Sequence, residues 1–231
     1  MKKTPPRRIA ILGMYPGWQL AFDRDDWTDL WACNDAYRVM DAAQLRRVTA
    51  WWEVHDPSGP LTNLRRRRDH WRKIAALNKP VYTCFPDALR AKGVRDVRAV
   101  NEATLAAVSG HRYFTVSFSY MIALALHQRA TSISLYGTAL TGAREALVER
   151  PCVEFWRGIA IGRGVPVEIV YDRAGLPAGY GTGDSSVAYA FEDRVEREAT
   201  WAAVRQYLYA AISWGPEERS RLDRAYSPRR A

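Results

Sequence analysis

Within "WWEVHD", the residues Glu53, His55 and Asp56 place an imidazole between two carboxylates. Such a set suits removal of a proton from a hydroxyl, because a carboxylate fixes the imidazole tautomer and leaves the second ring nitrogen free as a base. The segment "RVTAWWEVHD", residues 47–56, reads as a strand, and strand alternation puts Glu53 and His55 on one face. Two assignments stay open: Glu53 orients His55 as the base, or Asp56 takes the proton itself. The plain alternative is a loop-capping Asp beside a solvated His.

Other strand ends carry complementary groups. "RIAIL" runs into Gly13, Met14, Tyr15 and Pro16, which match neither the G-x-G-x-x-G of a dinucleotide site nor the Lys-containing phosphate loop. "DLWACND" ends in Asn34, whose amide can read a nucleobase edge or a ribose hydroxyl and can equally close an Asx turn. "TSISLYG" ends in Gly137 and is followed by Thr138, while "YFTVSFSYM" brings Thr115, Ser117 and Ser119 to a helix start, a place suited to capping and to anions. Ligands of open parallel sheets lie beyond the carboxyl ends of the strands, where strand order reverses, so these groups are read together as one nucleotide pocket.

The elements that must position them are strands over 8–12, 29–35, 47–56, 79–84, 131–137 and 166–171, with helices over 63–77, 117–130 and 151–164. Apolar strands alternating with helices imply an α/β, Rossmann-like fold: a mostly parallel sheet with helices on both faces. Residues 1–172 are expected to form this domain, 173–187 a flexible linker or lid, and 188–231 a helix and basic tail packed on the same domain.

The chain has 231 residues, 48% of them hydrophobic, enough for one core of ordinary size. Its net charge of +9 favours polyanions or anionic ligands, or serves solubility alone. Cys33, Cys84 and Cys152 stand too far apart for paired zinc ligands and are expected to be buried thiols. No stretch approaches the ~20 apolar residues of a membrane span, so no membrane partner and a cytoplasmic location are expected, the host cytoplasm if the chain is phage-encoded. His70, in an arginine-rich helix, and His127, in an apolar one, read as structural or surface residues. In "RRRRDHWRK", Arg65, Arg66, Arg67 and Arg68 stand near Trp71, with Trp51 and Trp52 on the preceding strand. Arginines contact phosphates and aromatic faces stack on unpaired bases, so the combination suits nucleic acid; the alternative is a solvated basic helix over core tryptophans.

Four segments, "ILGMYPGW", "LWACNDAY", "SFSYMIALALHQRATSISLYGTAL" and "RPCVEFWRGIAIGRGVPVEIV", resemble the single-domain bacterial sialyltransferases of the Cst type. They also resemble related glycosyltransferase-like proteins of motility-associated and phage origin. The resemblance spans residues 8–172. It implies a nucleotide-sugar donor, UDP- or CMP-linked, used as a co-substrate with no separate cofactor. Gly13 to Pro16 and Asn34 would contact the nucleotide; Tyr120, and more loosely Tyr113, would stabilise the leaving phosphate. Met14 stands where those sialyltransferases have an asparagine, and "TALTGAREALVERP" lacks the histidine that is their base. The base is therefore expected at His55 or Asp56, failing which at Glu145 or Glu149. The expected activity is metal-independent glycosyl transfer to a hydroxyl, the favoured acceptor being DNA that carries 5-hydroxymethylcytosine, with the target base flipped out of the duplex. The alternatives are a glycan or small-molecule acceptor, or a nucleotide- or nucleic-acid-binding module without turnover. Oligomeric state is left open.

Overall fold

A computed structural model describes residues 6–57, 69–138, 140 and 145–170. It contains a sheet of seven parallel strands: β1 (Arg8–Leu12), β2 (Asp29–Cys33), β3 (Ala50–Trp52), β4 (Val81–Thr83), β5 (Val97–Ala99), β6 (Ser132–Tyr136) and β7 (Val167–Val170). Their order is β5-β4-β3-β2-β1-β6-β7, so the sheet grows one way from β1 to β5 and then reverses across β1 to β6 and β7. This is the expected α/β, Rossmann-like architecture, and the reversal lies between β1 and β6.

The strands are apolar throughout because both faces are covered. Ile9, Ile11, Trp31 and Ile133 point into one core, shared with the helices α4 (Glu102–Ser109), α5 (Ser117–His127) and α6 (Arg150–Gly162). Ala10, Leu12, Leu30 and Val81 point into the other, with α2 (His70–Ala76) and α3 (Pro86–Ala91). Consecutive tryptophans split between the two: Trp51 faces the α2 side and Trp52 the α5 side, both with no exposed surface. Trp52 stacks on Tyr82 at 4.8 Å. Neither indole is a platform for a nucleobase, which corrects the reading that grouped them with the arginines.

The strand expected over 47–56 is shorter, ending at Trp52, because the Glu53 carboxylate accepts the His55 backbone N–H at 3.2 Å and turns the chain. Of the helix expected over 63–77, residues 70–76 form α2, and 58–68 lie outside the described residues. The expected helices over 117–130 and 151–164 appear as α5 and α6, and the strand over 166–171 as β7. Short elements not anticipated include β5, α3, α4 and α1 (Ala42–Arg47). Each is brief and α1 buries no side chain, so none presents a long apolar period; α1 does begin with a capping box formed by Asp41 and Gln44. The linker at 173–187 and the C-terminal helix lie outside the described residues.

At the switch point the backbones of two turns touch. Gly13 N–H donates to Tyr136 at 2.7 Å and Tyr15 N–H to Gly137 at 3.0 Å. A Cβ on Gly13 would lie 2.1 Å from the Gly137 carbonyl oxygen, and Gly137 itself has φ of 62°. Only glycine permits this approach. Gly13→Ala is expected to destabilise the fold by at least about 2 kcal/mol, through backbone overpacking; equilibrium urea unfolding measures it, and an unchanged midpoint would show that the turns separate at no cost.

Candidate functional site

All the strands point their carboxyl ends to one edge, and the helix α5, running antiparallel to them, starts at that edge. Its Phe118 ring lies 3.0 Å from where a Gly13 Cβ would stand, so the first turn of α5 abuts the switch point. The first amides of a helix lack intrahelical partners and carry its positive dipole end, an arrangement that favours an anion. The hydroxyls expected to assist are partly spent within the protein: Thr115 donates to the Val148 carbonyl at 2.8 Å and Ser119 to the Val116 carbonyl at 2.6 Å. Ser117 is buried at the helix start.

Among the described residues six side-chain atoms are buried without a partner, and Asn34 Oδ1, Thr138 Oγ1 and Trp52 Nε1 belong to residues at this edge. Buried polar groups are nearly always bonded, so each is a place for a hydrogen bond from water, from another part of the chain or from a ligand. Asn34 follows β2 in a left-handed conformation, φ 52°, which asparagine tolerates. Its N–H donates to Trp52 at 2.9 Å and its carbonyl accepts Trp51 Nε1–H at 3.2 Å, so the end of β2 is tied to the end of β3. Thr138 follows β6 and is itself 4% exposed. The two flank the Gly13 turn, where Met14 and Pro16 are exposed and Tyr15 is half-buried.

One strand further, β3 ends in Glu53, a carboxyl group with no exposed surface. Its Oε1 meets His55 Nδ1 at 2.5 Å and its Oε2 meets His70 Nε2 at 2.9 Å. The other nitrogen of His70 faces Asp35 Oδ1 at 3.0 Å and the Tyr37 hydroxyl at 2.9 Å. Glu53 and His55 pair, through the turn that follows β3 and not by alternation along a strand, with the His55 ring exposed at the edge and Asp56 half-buried beside it. His70, read from sequence as a structural or surface residue, is entirely buried and joins Asp35 to Glu53. A histidine among arginines looks the same whether its helix face is in or out, so no feature of the local sequence separates the two.

Other expected residues are spread more widely. Tyr120 shares a hydrogen bond with Cys84, just past β4, and stacks on Phe114 at 4.5 Å; Tyr113 packs edge-on against Phe155. Tyr120 is therefore held over the β4 end of the site. Burial pushes its hydroxyl up to about 12, so it stays a neutral donor. Trp71 is half-buried, with His70 edge-on to its ring at 4.6 Å. Arg65, Arg66, Arg67 and Arg68 lie outside the described residues. Cys33 and Cys152 are buried as expected, whereas Cys84 is only half so. Glu149 precedes α6 at the end of a π-helical turn that begins at Glu145. The expectation of metal-independent transfer took the chain to have no Asp-x-Asp pair, and this is corrected: Asp23-Arg24-Asp25 is one. It begins at the last residue of the 3-10 segment Trp18–Asp23, and the adjoining Asp26 pairs with Arg8 at the first residue of β1, the opposite end of the sheet from Gly13. Among the described residues no group of three or more His, Cys, Asp or Glu could hold a metal ion, and no helix is long and apolar enough to cross a membrane.

No protein-family model matches the chain, and no curated protein matches it.

The Cys84 thiol is pushed up to about 11, chiefly by burial, with Glu102 adding to the effect. A thiol whose ionisation is suppressed in the folded state adds stability that is complete below the ordinary cysteine range and is lost as pH rises through the folded value. Native-state alkylation of Cys84 at pH 9 is therefore expected to run well below that of the unfolded chain and to climb toward pH 11; mass spectrometry after timed quenching reads this, and equal rates at pH 9 would contradict it.

Proposed function

We propose that the chain is a metal-independent glycosyltransferase that binds a nucleotide sugar at the β1–β6 switch point and moves the sugar to a hydroxyl acceptor. The observation that carries this reading is the placement of Asn34 Oδ1 and Thr138 Oγ1, buried and unpartnered among the described residues, on either side of the Gly13 turn. The Glu53–His55 pair lies two strands from that turn. Neighbouring strands are about 4.8 Å apart, so the carboxyl ends of β1 and β3 are roughly 10 Å apart, a distance a nucleotide sugar can bridge. The donor phosphates lie against the start of α5, and Asn34 and Thr138 bond the nucleoside.

In the transfer step an acceptor hydroxyl oxygen attacks the anomeric carbon. The bond from that carbon to the phosphate oxygen breaks, and its electron pair leaves on the phosphate. His55 Nε2 takes the hydroxyl proton while Nδ1–H donates to Glu53. Preorganised donors at the helix start stabilise the departing charge. We favour 5-hydroxymethylcytosine in DNA as the acceptor, on the strength of the net charge of +9 and the arginine run at 65–68. The sialyltransferase resemblance supports a glycan acceptor as the second reading.

A thermal-shift series with UDP-, CMP- and GDP-sugars tests the donor, since a ligand at 100 times its dissociation constant adds about 2.7 kcal/mol to stability. Asn34→Gly, which keeps the left-handed backbone, is expected to weaken calorimetric binding of the stabilising donor by about 1–3 kcal/mol. His55→Ala is expected to lower turnover by roughly 10²–10⁴ with donor affinity kept. A chain stabilised by none of the three donor classes would overturn the reading.

A further inference from the structure

We infer that the end of β4 is where the acceptor base lies, stacked on the ring of Tyr120 and bounded by Phe85. The inference rests on the proposed transfer to a hydroxymethylated base in DNA and gives that acceptor a place. Three near-parallel rings lead to it. Trp156, with no exposed surface, stacks on Phe114 at 5.0 Å and 22°, and Phe114 stacks on Tyr120 at 4.5 Å and 19°. The stack thus starts in the core and ends at a half-buried tyrosine in the first turn of α5. A further planar ring adds to it with little ordering left to do, because the last member is already held. Phe85, next to Cys84, is 37% exposed, and its backbone is fixed by an N–H that donates to Thr83 Oγ1 at 3.0 Å and by Pro86 at the start of α3.

Glu102, the exposed first residue of α4, acts on the same place: its charge helps to push both the Cys84 thiol and the Tyr120 hydroxyl up. A carboxylate repels a phosphate but accepts from an exocyclic amine, the contact by which Glu and Asp read the N4 group of cytosine. This strand end therefore suits a base and not its backbone, and a base reaches it only when unpaired. The strand order sets the distances. β3, whose end leads into His55, lies between β4 and β1, and three spacings of about 4.8 Å put the ends of β4 and β1 roughly 14 Å apart. A donor at the switch point and a base at β4 then reach His55 from opposite sides. The resemblance implied that Tyr120 stabilises the leaving phosphate; its hydroxyl, bonded to Cys84 just past β4, belongs to the acceptor instead.

Equilibrium binding of a labelled single-stranded oligonucleotide carrying one 5-hydroxymethylcytosine tests this without donor or turnover, at one salt concentration throughout. Tyr120→Ala and Phe85→Ala are each expected to weaken binding about 5- to 150-fold, the loss that follows removal of an aromatic platform for a base, and Tyr120→Phe to stay within about twofold. In the unaltered chain, saturating oligonucleotide is expected to slow alkylation of Cys84. Affinity unchanged in both alanine variants would overturn the inference. So would a Cys84 that is alkylated at the free rate in the saturated complex, an oligonucleotide that does not bind, or protection of Cys84 by a glycan alone. Should Tyr120→Ala fail to fold, Phe85→Ala and the alkylation of the unaltered chain decide. Binding that depends on both rings in a chain that transfers no sugar would count against the proposed function and not against this place for a base.

Discussion

A carboxylate taken wholly out of water has to be met by hydrogen bonds and opposite charge, and Glu53 imposes that demand on the carboxyl edge of this sheet. Each of its two oxygens meets an imidazole, one buried and one reaching the edge. The buried one is the first residue of α2, so the helix is fixed over the end of β3 by a charged contact as well as by Ile74 in the core. Asp35 joins the cluster from the end of β2. Such clusters often cost stability relative to an apolar core. This one stands at the strand ends, the edge at which the proposed transfer is placed.

The backbone makes the neighbouring half of the site. The bonds between Asn34 and the Trp51–Trp52 pair lock the ends of β2 and β3 in register, and the Gly13–Gly137 contact does the same for β1 and β6. Four adjacent strand ends are thus tied in two pairs, with the start of α5 over the switch point. Asn34 Oδ1 and Thr138 Oγ1, without partners among the described residues, are the atoms on which the proposed donor site rests.

The fold was legible in the sequence where burial on both faces leaves an unbroken apolar run, as in "RIAIL" and "SISLY". It was not legible in "VRA", where two of three side chains are exposed and pairing with β4 alone makes the strand. The pairing of Glu53 with His55 was expected from strand alternation, but the strand stops at Trp52 and a turn at Glu53 makes the pair instead. The part of His70 did not, because which face of a short helix turns inward depends on the sheet beneath it. The same limit applied to Trp51 and Trp52: aromatic side chains beside a basic run suit a nucleic-acid surface equally well, until the strand is placed in the middle of a sheet with helices on both sides. Tyr120 was placed near the helix start correctly, but only the fold shows that its hydroxyl meets Cys84.

The central claim is that this edge transfers a sugar, and the mass of the acceptor tests it most directly. The chain would be incubated with each of the UDP-, CMP- and GDP-sugars and a duplex oligonucleotide carrying 5-hydroxymethylcytosine, with a cytosine duplex and a glycan acceptor in parallel, and each acceptor weighed intact. The account predicts the gain of one glycosyl residue on the hydroxymethylated strand, absent from the cytosine duplex. Gain on the glycan alone would move the acceptor to the second reading. No gain on any acceptor from a donor that binds saturably would contradict the account and leave a nucleotide-binding module in its place.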